Sequence, residues 1–199
     1  MQFLDKSEYK KAAKILKEGG LVAFPTETVF GLGCISNSEE AYNKLVSVKE
    51  RPENKPFTLM CSDIKQIEAF VEISNKTKRI IDKYMPGKIT LVLKIKKKVD
   101  NYLDHGTEYL GFRIPDDKFV LDMIDEVGVP LLVPSANVSG KKPALKDSDV
   151  FEYFENKIDA IVKGECEPLA VPSTVVKIVD EDLFILREGP ITYKELMEA

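Results

Sequence analysis

The sequence predicts an α/β fold in which helices flank a twisted, mixed β-sheet. About seven or more short apolar segments have the length and the β-branched content of strands. Amphipathic segments with helix start and stop signals lie between some of them. Because some strands follow one another directly while others are separated by a helix, a mixed sheet is favoured over a doubly wound parallel one. No segment has the composition of a linker, so we expect a single domain over residues 1–199.

Each predicted element is bounded by a capping residue, a glycine or a proline. The predicted helices are Glu8–Glu18 after the N-cap Ser7, Glu39–Lys49 after the N-cap Ser38, Asp63–Val71, Asn75–Met85 and Asp117–Val127 before Gly128. The predicted strands are Leu21–Phe24, Phe57–Cys61, Ile89–Ile95, Leu110–Ile114, Val129–Val133, Ala160–Val162, Thr174–Ile178 and Phe184–Arg187. The segment FPTETVFGLG is open to two interpretations, since its glycines can either turn the chain or belong to a binding site.

Composition excludes several classes of protein. The net charge is 29 minus 33, or −4, so the chain is not a general nucleic-acid coat, although Lys141 and Lys142 could form a local basic face. The three cysteines contain no CxxC pair, which argues against a disulfide framework or a zinc site and fits a reducing cytoplasm. No apolar run approaches the roughly 20 residues of a membrane span, so we expect a cytoplasmic protein with no membrane contact.

Two distant clusters have the chemistry of a polyphosphate site. Lys49, Arg51 and Lys55 lie around two helix-breaking prolines, which places cations where the second predicted helix must end. Some eighty residues later, Ser135 and Asn137 follow an apolar strand. Cations neutralise phosphate charge, and hydroxyl and amide groups orient it, so we expect these clusters to meet at a nucleotide.

These residues also carry a family resemblance. The chain resembles the YrdC-type threonylcarbamoyl-adenylate synthases in five features, in family order from about Gly19 to Ile191. They are FPTETVFGLG at 24–33, the KxR…SxN tetrad of Lys49, Arg51, Ser135 and Asn137, GFRIP at 111–115, PSTVV at 172–176 and LREGPI at 186–191. The resemblance implies a YrdC-like sheet flanked by helices, in the form without the additional C-terminal domain of the longer synthases.

The resemblance also implies roles for particular residues. The catalytic tetrad would be Lys49, Arg51, Ser135 and Asn137. Threonine would be bound by Thr28, Met60, Arg113 and Ser173, and ATP by Arg51, Lys55, Ser135 and Arg187. Met60 stands where many relatives carry histidine, and the segment Lys141–Pro143 departs from the usual pattern near the nucleotide. As pocket cations, Lys49 and Arg51 should be replaceable by alanine with little change in thermal stability.

The implied reaction makes L-threonylcarbamoyl-adenylate and pyrophosphate from L-threonine, bicarbonate or carbon dioxide, and ATP with Mg²⁺. The expected partner is a tRNA threonylcarbamoyl-transferase complex that takes the product onward, with at most weak, salt-dependent contact between this chain and tRNA. Two alternatives stay open. One is an RNA-binding YrdC-like paralogue without synthase activity, of which the spelling FTLMC around Met60 is reminiscent. The other is a carbamoyl-transferring relative of the hydrogenase-maturation type, whose Cys-rich zinc modules this sequence lacks.

Overall fold

The computed structural model describes residues 1–50 and 56–198. Its strands are β1 (Gln2–Leu4), β2 (Val22–Phe24), β3 (Gly31–Ile35), β4 (Thr58–Met60), β5 (Ile89–Lys94), β6 (Tyr109–Arg113), β7 (Leu131–Leu132), β8 (Ala160–Val162), β9 (Thr174–Val179) and β10 (Asp182–Arg187). Its helices are α1 (Tyr9–Lys17), α2 (Glu39–Lys49), α3 (Ile64–Glu68), α4 (Asn75–Tyr84), α5 (Asn101–Asp104), α6 (Lys118–Val127), α7 (Asp147–Phe154) and α8 (Tyr193–Met197).

The described strands form one mixed sheet. Their spatial order is β1-β8-β2-β3-β7-β4-β6-β5-β9-β10. The pairs β1–β8, β2–β8, β4–β6 and β5–β9 are parallel, while the remaining neighbours are antiparallel. The predicted fold class, a mixed sheet flanked by helices, is therefore confirmed.

The sheet separates two apolar cores, because successive side chains of a strand point to opposite faces. On β7, Leu131 belongs to one core and Leu132 to the other. Helices α1 and α6 cover the first face, packing Leu16 and Met123 against it, whereas α2, α4 and α7 contribute to the second core. Met60 lies on the α1–α6 side.

Local capping signals predicted several boundaries correctly. The Ser38 hydroxyl accepts a hydrogen bond from the amide of Ala41 at the start of α2, and Gly128 ends α6 with a φ of 85°. The predicted cap Ser7 is wrong. A 3-10 turn, Lys6–Glu8, precedes α1, and Asp5 forms the capping box with Glu8. Asp5 thus begins the helical segment two residues earlier than predicted.

One expectation about strands needed correction. The second half of FPTETVFGLG is not a turn, because Gly31 and Gly33 lie inside β3. A Cβ atom on Gly31 would lie 2.5 Å from Val133 Cγ1, and one on Gly33 would lie 2.9 Å from Phe24 Cε1. The glycines therefore allow close packing across the sheet.

Sequence patterns also missed five elements, namely β1, β3, α5, α7 and α8. No helix in the described ranges has the length and apolar character needed to cross a membrane.

Candidate active site

A cleft opens on one face of the sheet and brings together residues from seven segments of the chain. Six of the predicted site residues line it, namely Thr28, Met60, Arg113, Ser135, Ser173 and Arg187. The other described lining residues are Val29, Pro56, Phe57, Thr58, Thr90, Val133, Pro134 and Pro172. Predicted contacts to threonine and to the nucleotide thus share one cavity.

The floor of the cleft is made by three neighbouring strands. Thr58 of β4 is the register partner of Gly111 on β6, and Met60 is the partner of Arg113. A Cβ atom on Gly111 would lie 3.4 Å from both Thr58 Oγ1 and Thr90 Cγ2. Because residues two apart share a face of a strand, Gly111 opens the floor beside Arg113.

Arg113 is the most constrained cation of the cleft, with only 6% of its surface exposed. Its Nε donates to the carbonyl of Gly87 at 3.2 Å, and its Nη2 donates to Thr28 Oγ1 at 2.9 Å. Nη2 also forms an ion pair with Glu27 Oε1 at 2.9 Å. Nη1 makes no hydrogen bond to a described residue, so this end of the guanidinium is presented for an anion.

The hydroxyl of Thr28 is committed to holding Arg113. Thr26 Oγ1 donates its single hydrogen to the carbonyl of Val29 at 2.8 Å, so Thr28 Oγ1 is the donor in its 3.0 Å contact with Thr26 Oγ1. Thr28 Oγ1 then accepts from Arg113. Thr28, which the sequence predicts to bind the substrate, is therefore buried, at 1% exposure, and its hydroxyl orients Arg113 next to the cleft.

A second arginine faces the same cleft from the end of β10. Arg187 donates from Nε and Nη2 to the carbonyl of Ser173, at 3.0 and 2.8 Å, and Ser173 Oγ lies 2.8 Å from Thr90 Oγ1. Burial, and then the positive charge of Arg113, lower the pKa of Arg187. Two arginines held in one partly desolvated cleft make it a favourable place for an anion.

Gly189 explains how the LREGPI and PSTVV segments come together. A Cβ atom at Gly189 would lie 2.4 Å from the backbone nitrogen of Thr174 and 2.8 Å from the carbonyl oxygen of Pro172. Only glycine permits this approach, since both contacts are to backbone. The approach holds Arg187 over Ser173.

Lys49 organises the loop that carries Ser135 and Asn137. It is 2% exposed at the end of α2, and its Nζ donates to the carbonyls of Ser135 at 2.5 Å and Asn137 at 2.7 Å. Ser139 N in turn donates to the carbonyl of Lys49 at 2.9 Å. Because the loss of Lys49 would leave two carbonyls without this donor, these bonds argue against the expectation that Lys49 could be removed with little change in stability.

Asn137 is tied into the same loop. Its Nδ2 donates to the carbonyls of Val138 and Lys141, both at 2.9 Å, and its Oδ1 accepts from Ser135 Oγ at 2.6 Å. The amide thus orients the Ser135 hydroxyl. The remaining predicted cations, Arg51 and Lys55, lie outside the described residues.

Sequence reasoning missed Thr58 and Thr90 as lining residues. Thr90 is a hydroxyl residue in the otherwise apolar stretch ITLVL and is 2% exposed, so its polarity within a buried strand was the available signal. Cys34 is fully buried in β3 and is not among the described lining residues. His105, the single histidine of the sequence, is half-buried, with Nε2 3.1 Å from the Tyr42 hydroxyl.

Comparison with known proteins bears on this arrangement. The Sua5/YciO/YrdC family model, described as "Telomere recombination", matches residues 14–189. The chain belongs to this family. A threonylcarbamoyl-AMP synthase of Bacillus subtilis is 37% identical over 191 residues, which are 95% of this chain and 55% of that protein. The chain thus spans about half the length of that curated relative.

Solved structures agree with the fold. The Pyrococcus abyssi Sua5 structure complexed with L-threonine matches with a TM-score of 0.92 and 30% identity, over 99% of this chain and 59% of that one. Escherichia coli YciO matches with a TM-score of 0.86 over 98% of this chain and 97% of that one. At 24% identity, the YciO match shows the shared fold alone.

Proposed function

We propose that this chain synthesises L-threonylcarbamoyl-adenylate and pyrophosphate from L-threonine, bicarbonate or carbon dioxide, and ATP. The observation that carries the proposal is the shared cleft, in which Arg113 and Ser173 lie beside Ser135 and Arg187. A reaction between an amino-acid derivative and a nucleotide needs both ligands within bonding distance, which one continuous cavity provides.

The related proteins support the same chemistry. The Bacillus subtilis relative is named a threonylcarbamoyl-AMP synthase, and the Pyrococcus abyssi Sua5 structure was obtained with L-threonine. Within the present cleft, the Nη1 end of Arg113 suits the carboxylate of threonine, and Arg187 suits a phosphate. The proposal thus rests on the chemistry of the cleft residues as well as on the shared fold.

The reaction requires no protein nucleophile. The threonine amine adds to carbon dioxide with loss of a proton and gives a carbamate. A carbamate oxygen then forms a bond to the α-phosphorus while the bond to the bridging oxygen of pyrophosphate breaks. The protein contributes by positioning both ligands and by stabilising the phosphate charge with cations.

Lys49 and Asn137 enter this mechanism as positioning residues. They hold the loop that presents Ser135, by the contacts described above. Arg51 and Lys55 remain proposed ATP contacts, and Met60 a proposed wall of the threonine site.

Magnesium enters as a component of the MgATP substrate. The described lining of the cleft includes hydroxyl and guanidinium groups but no carboxylate, and no cluster of three metal-binding side chains occurs among the described residues. The described part of the cleft therefore does not fit a resident magnesium ion.

The place of the reaction and the fate of its product belong to the same proposal. We place the reaction in the cytoplasm, where ATP and tRNA are available. A separate tRNA threonylcarbamoyl-transferase complex would take the adenylate onward, because the product is a reactive mixed anhydride.

The test is a product assay. Purified protein with MgATP and bicarbonate should release pyrophosphate and form threonylcarbamoyl-AMP, identified by mass spectrometry, only when threonine is added. Arg113→Gln should abolish the threonine-dependent release of pyrophosphate, whereas Lys94→Gln, which removes a cation from an exposed strand position, should behave as wild type. Pyrophosphate release that is indifferent to threonine would refute the proposal.

A further inference from the structure

Glu27 is a partly buried acid beside the cleft for which neither the sequence patterns nor the proposed mechanism has a role. Its side chain is 14% exposed, and its carboxylate ion-pairs with Arg113 at 2.9 Å. The same oxygen, Oε1, accepts a hydrogen bond from the backbone amide of Asp116 at 2.9 Å. Oε2 is buried and has no hydrogen-bond partner among the described residues. One oxygen therefore makes both contacts.

These contacts join three parts of the site. Arg113 is the last residue of β6, and Asp116 lies in the turn between β6 and α6. Glu27 precedes Thr28, whose hydroxyl accepts from the same Nη2 of Arg113. Glu27 and Thr28 thus hold Nη2 from one segment while the carbonyl of Gly87 holds Nε from another. A guanidinium is planar and rigid, so fixing Nη2 and Nε also fixes the direction of Nη1.

We propose that Glu27 is a positioning residue for the amino-acid substrate. By holding Nη2 and the turn after β6 with a single oxygen, it makes Arg113 offer only its Nη1 end to the substrate carboxylate. This inference rests on the proposed function, because it takes the ligand of Arg113 to be threonine. The important property of Glu27 is the position of Oε1, and its charge is secondary.

Because both contacts are made by Oε1, the position of this oxygen and the charge of the carboxylate can be tested separately. Glu27→Gln keeps the length of the side chain, and its amide oxygen can replace Oε1 in both contacts while the charge is removed. Glu27→Asp keeps the charge but is one methylene shorter, so its carboxylate cannot reach Arg113 and the Asp116 amide in the same geometry. The matched control is Glu167→Ala, which removes an exposed carboxylate from the groove that Glu27 also lines.

The measurements are threonine binding by calorimetry and steady-state kinetics with each substrate varied. We expect Glu27→Gln to bind threonine within about threefold of wild type, and Glu27→Asp to bind it about 10-fold or more weakly, because a misplaced clamp loses its contacts. The KM for threonine should rise in Glu27→Asp, while the KM for ATP and the kcat at saturating threonine stay near wild type. A general loss of folding would change both KM values together, and thermal unfolding of each variant checks this.

The possible outcomes separate the inference from the proposed function. Wild-type affinity in Glu27→Asp together with weak binding in Glu27→Gln would show that charge, not position, is what matters, and would overturn the inference alone. Equal threonine binding by wild type and both variants would also overturn it alone. Failure of the wild-type protein to bind threonine at all would refute the proposed function and this inference with it.

Discussion

Replacing Lys49 tests whether this residue stabilises the loop that carries Ser135 and Asn137. Lys49→Met keeps most of the apolar stem but removes the ammonium that donates to the carbonyls of Ser135 and Asn137. A hydrogen bond to a charged group contributes about 1.5–3 kcal/mol, so two such bonds contribute about 3–6 kcal/mol if they were additive. They share one ammonium and are therefore coupled, so we expect a loss near the lower value.

This loss is large enough to measure. For a chain of this size, each kcal/mol lowers the melting temperature by about 2–4 °C, so a loss of about 3 kcal/mol lowers it by roughly 6–12 °C. Thermal and urea unfolding, each followed by circular dichroism, provide two independent measurements. Activity should fall as well, because the loop carrying Ser135 loses its anchor.

The matched control is Lys44→Met on the same helix. Lys44 is about half exposed and pairs with Glu40 at 3.0 Å, an exposed i,i+4 pair that contributes about 0.3–0.5 kcal/mol. It should therefore unfold almost as wild type does. If Lys49→Met matched this control in stability but lost activity, Lys49 would act on the substrate directly and the positioning role would be wrong.

Three further outcomes follow from the geometry. Gly189→Ala should raise the KM for ATP more than that for threonine, since the added Cβ forces apart the backbone that holds Arg187 over Ser173; equal effects on both KM values would contradict this. Threonine should be preferred over serine by roughly 10- to 200-fold in kcat/KM, because one methyl group in a pocket contributes about 1–3 kcal/mol, and equal efficiency would exclude the assigned threonine site. All three cysteines are buried, and burial raises the pKa of Cys34 to about 12, so a thiol reagent at pH 8 should modify them only after unfolding; rapid labelling of the native protein would show that the burial is wrong.

The fold class and most elements could be predicted because their signals are local. Ser38 and Gly128 lie at helix ends where backbone groups need a cap, and β5 is dense in β-branched residues. The missed strands have weaker local signals. β3 begins with glycine, which is unfavourable in an isolated strand, and it is a strand because it pairs with β2 and β7, while its glycines leave room for Phe24 and Val133.

In the candidate site, too, some features follow from local sequence signals and others from the packing of distant segments. The residue types were enough to indicate a nucleotide, because cations with hydroxyl and amide groups suit a polyphosphate, whereas the amino acid was implied only by the family resemblance. Family motifs then singled out six of the residues that line the cleft.

Only the tertiary structure decided what each side chain does. Lys49 could be read from the sequence as a phosphate ligand, but the order of the strands brings Ser135 and Asn137, 86 and 88 positions away, over the end of α2, and their carbonyls accept from its ammonium. Arg113 likewise depends on Glu27, Thr28 and Gly87, which come from two other segments of the chain. The sequence alone determined which chemical groups are present and which short segments form helices and strands. Their partners were decided by the packing of distant segments, because a hydrogen bond depends on separation in space and not on separation along the chain.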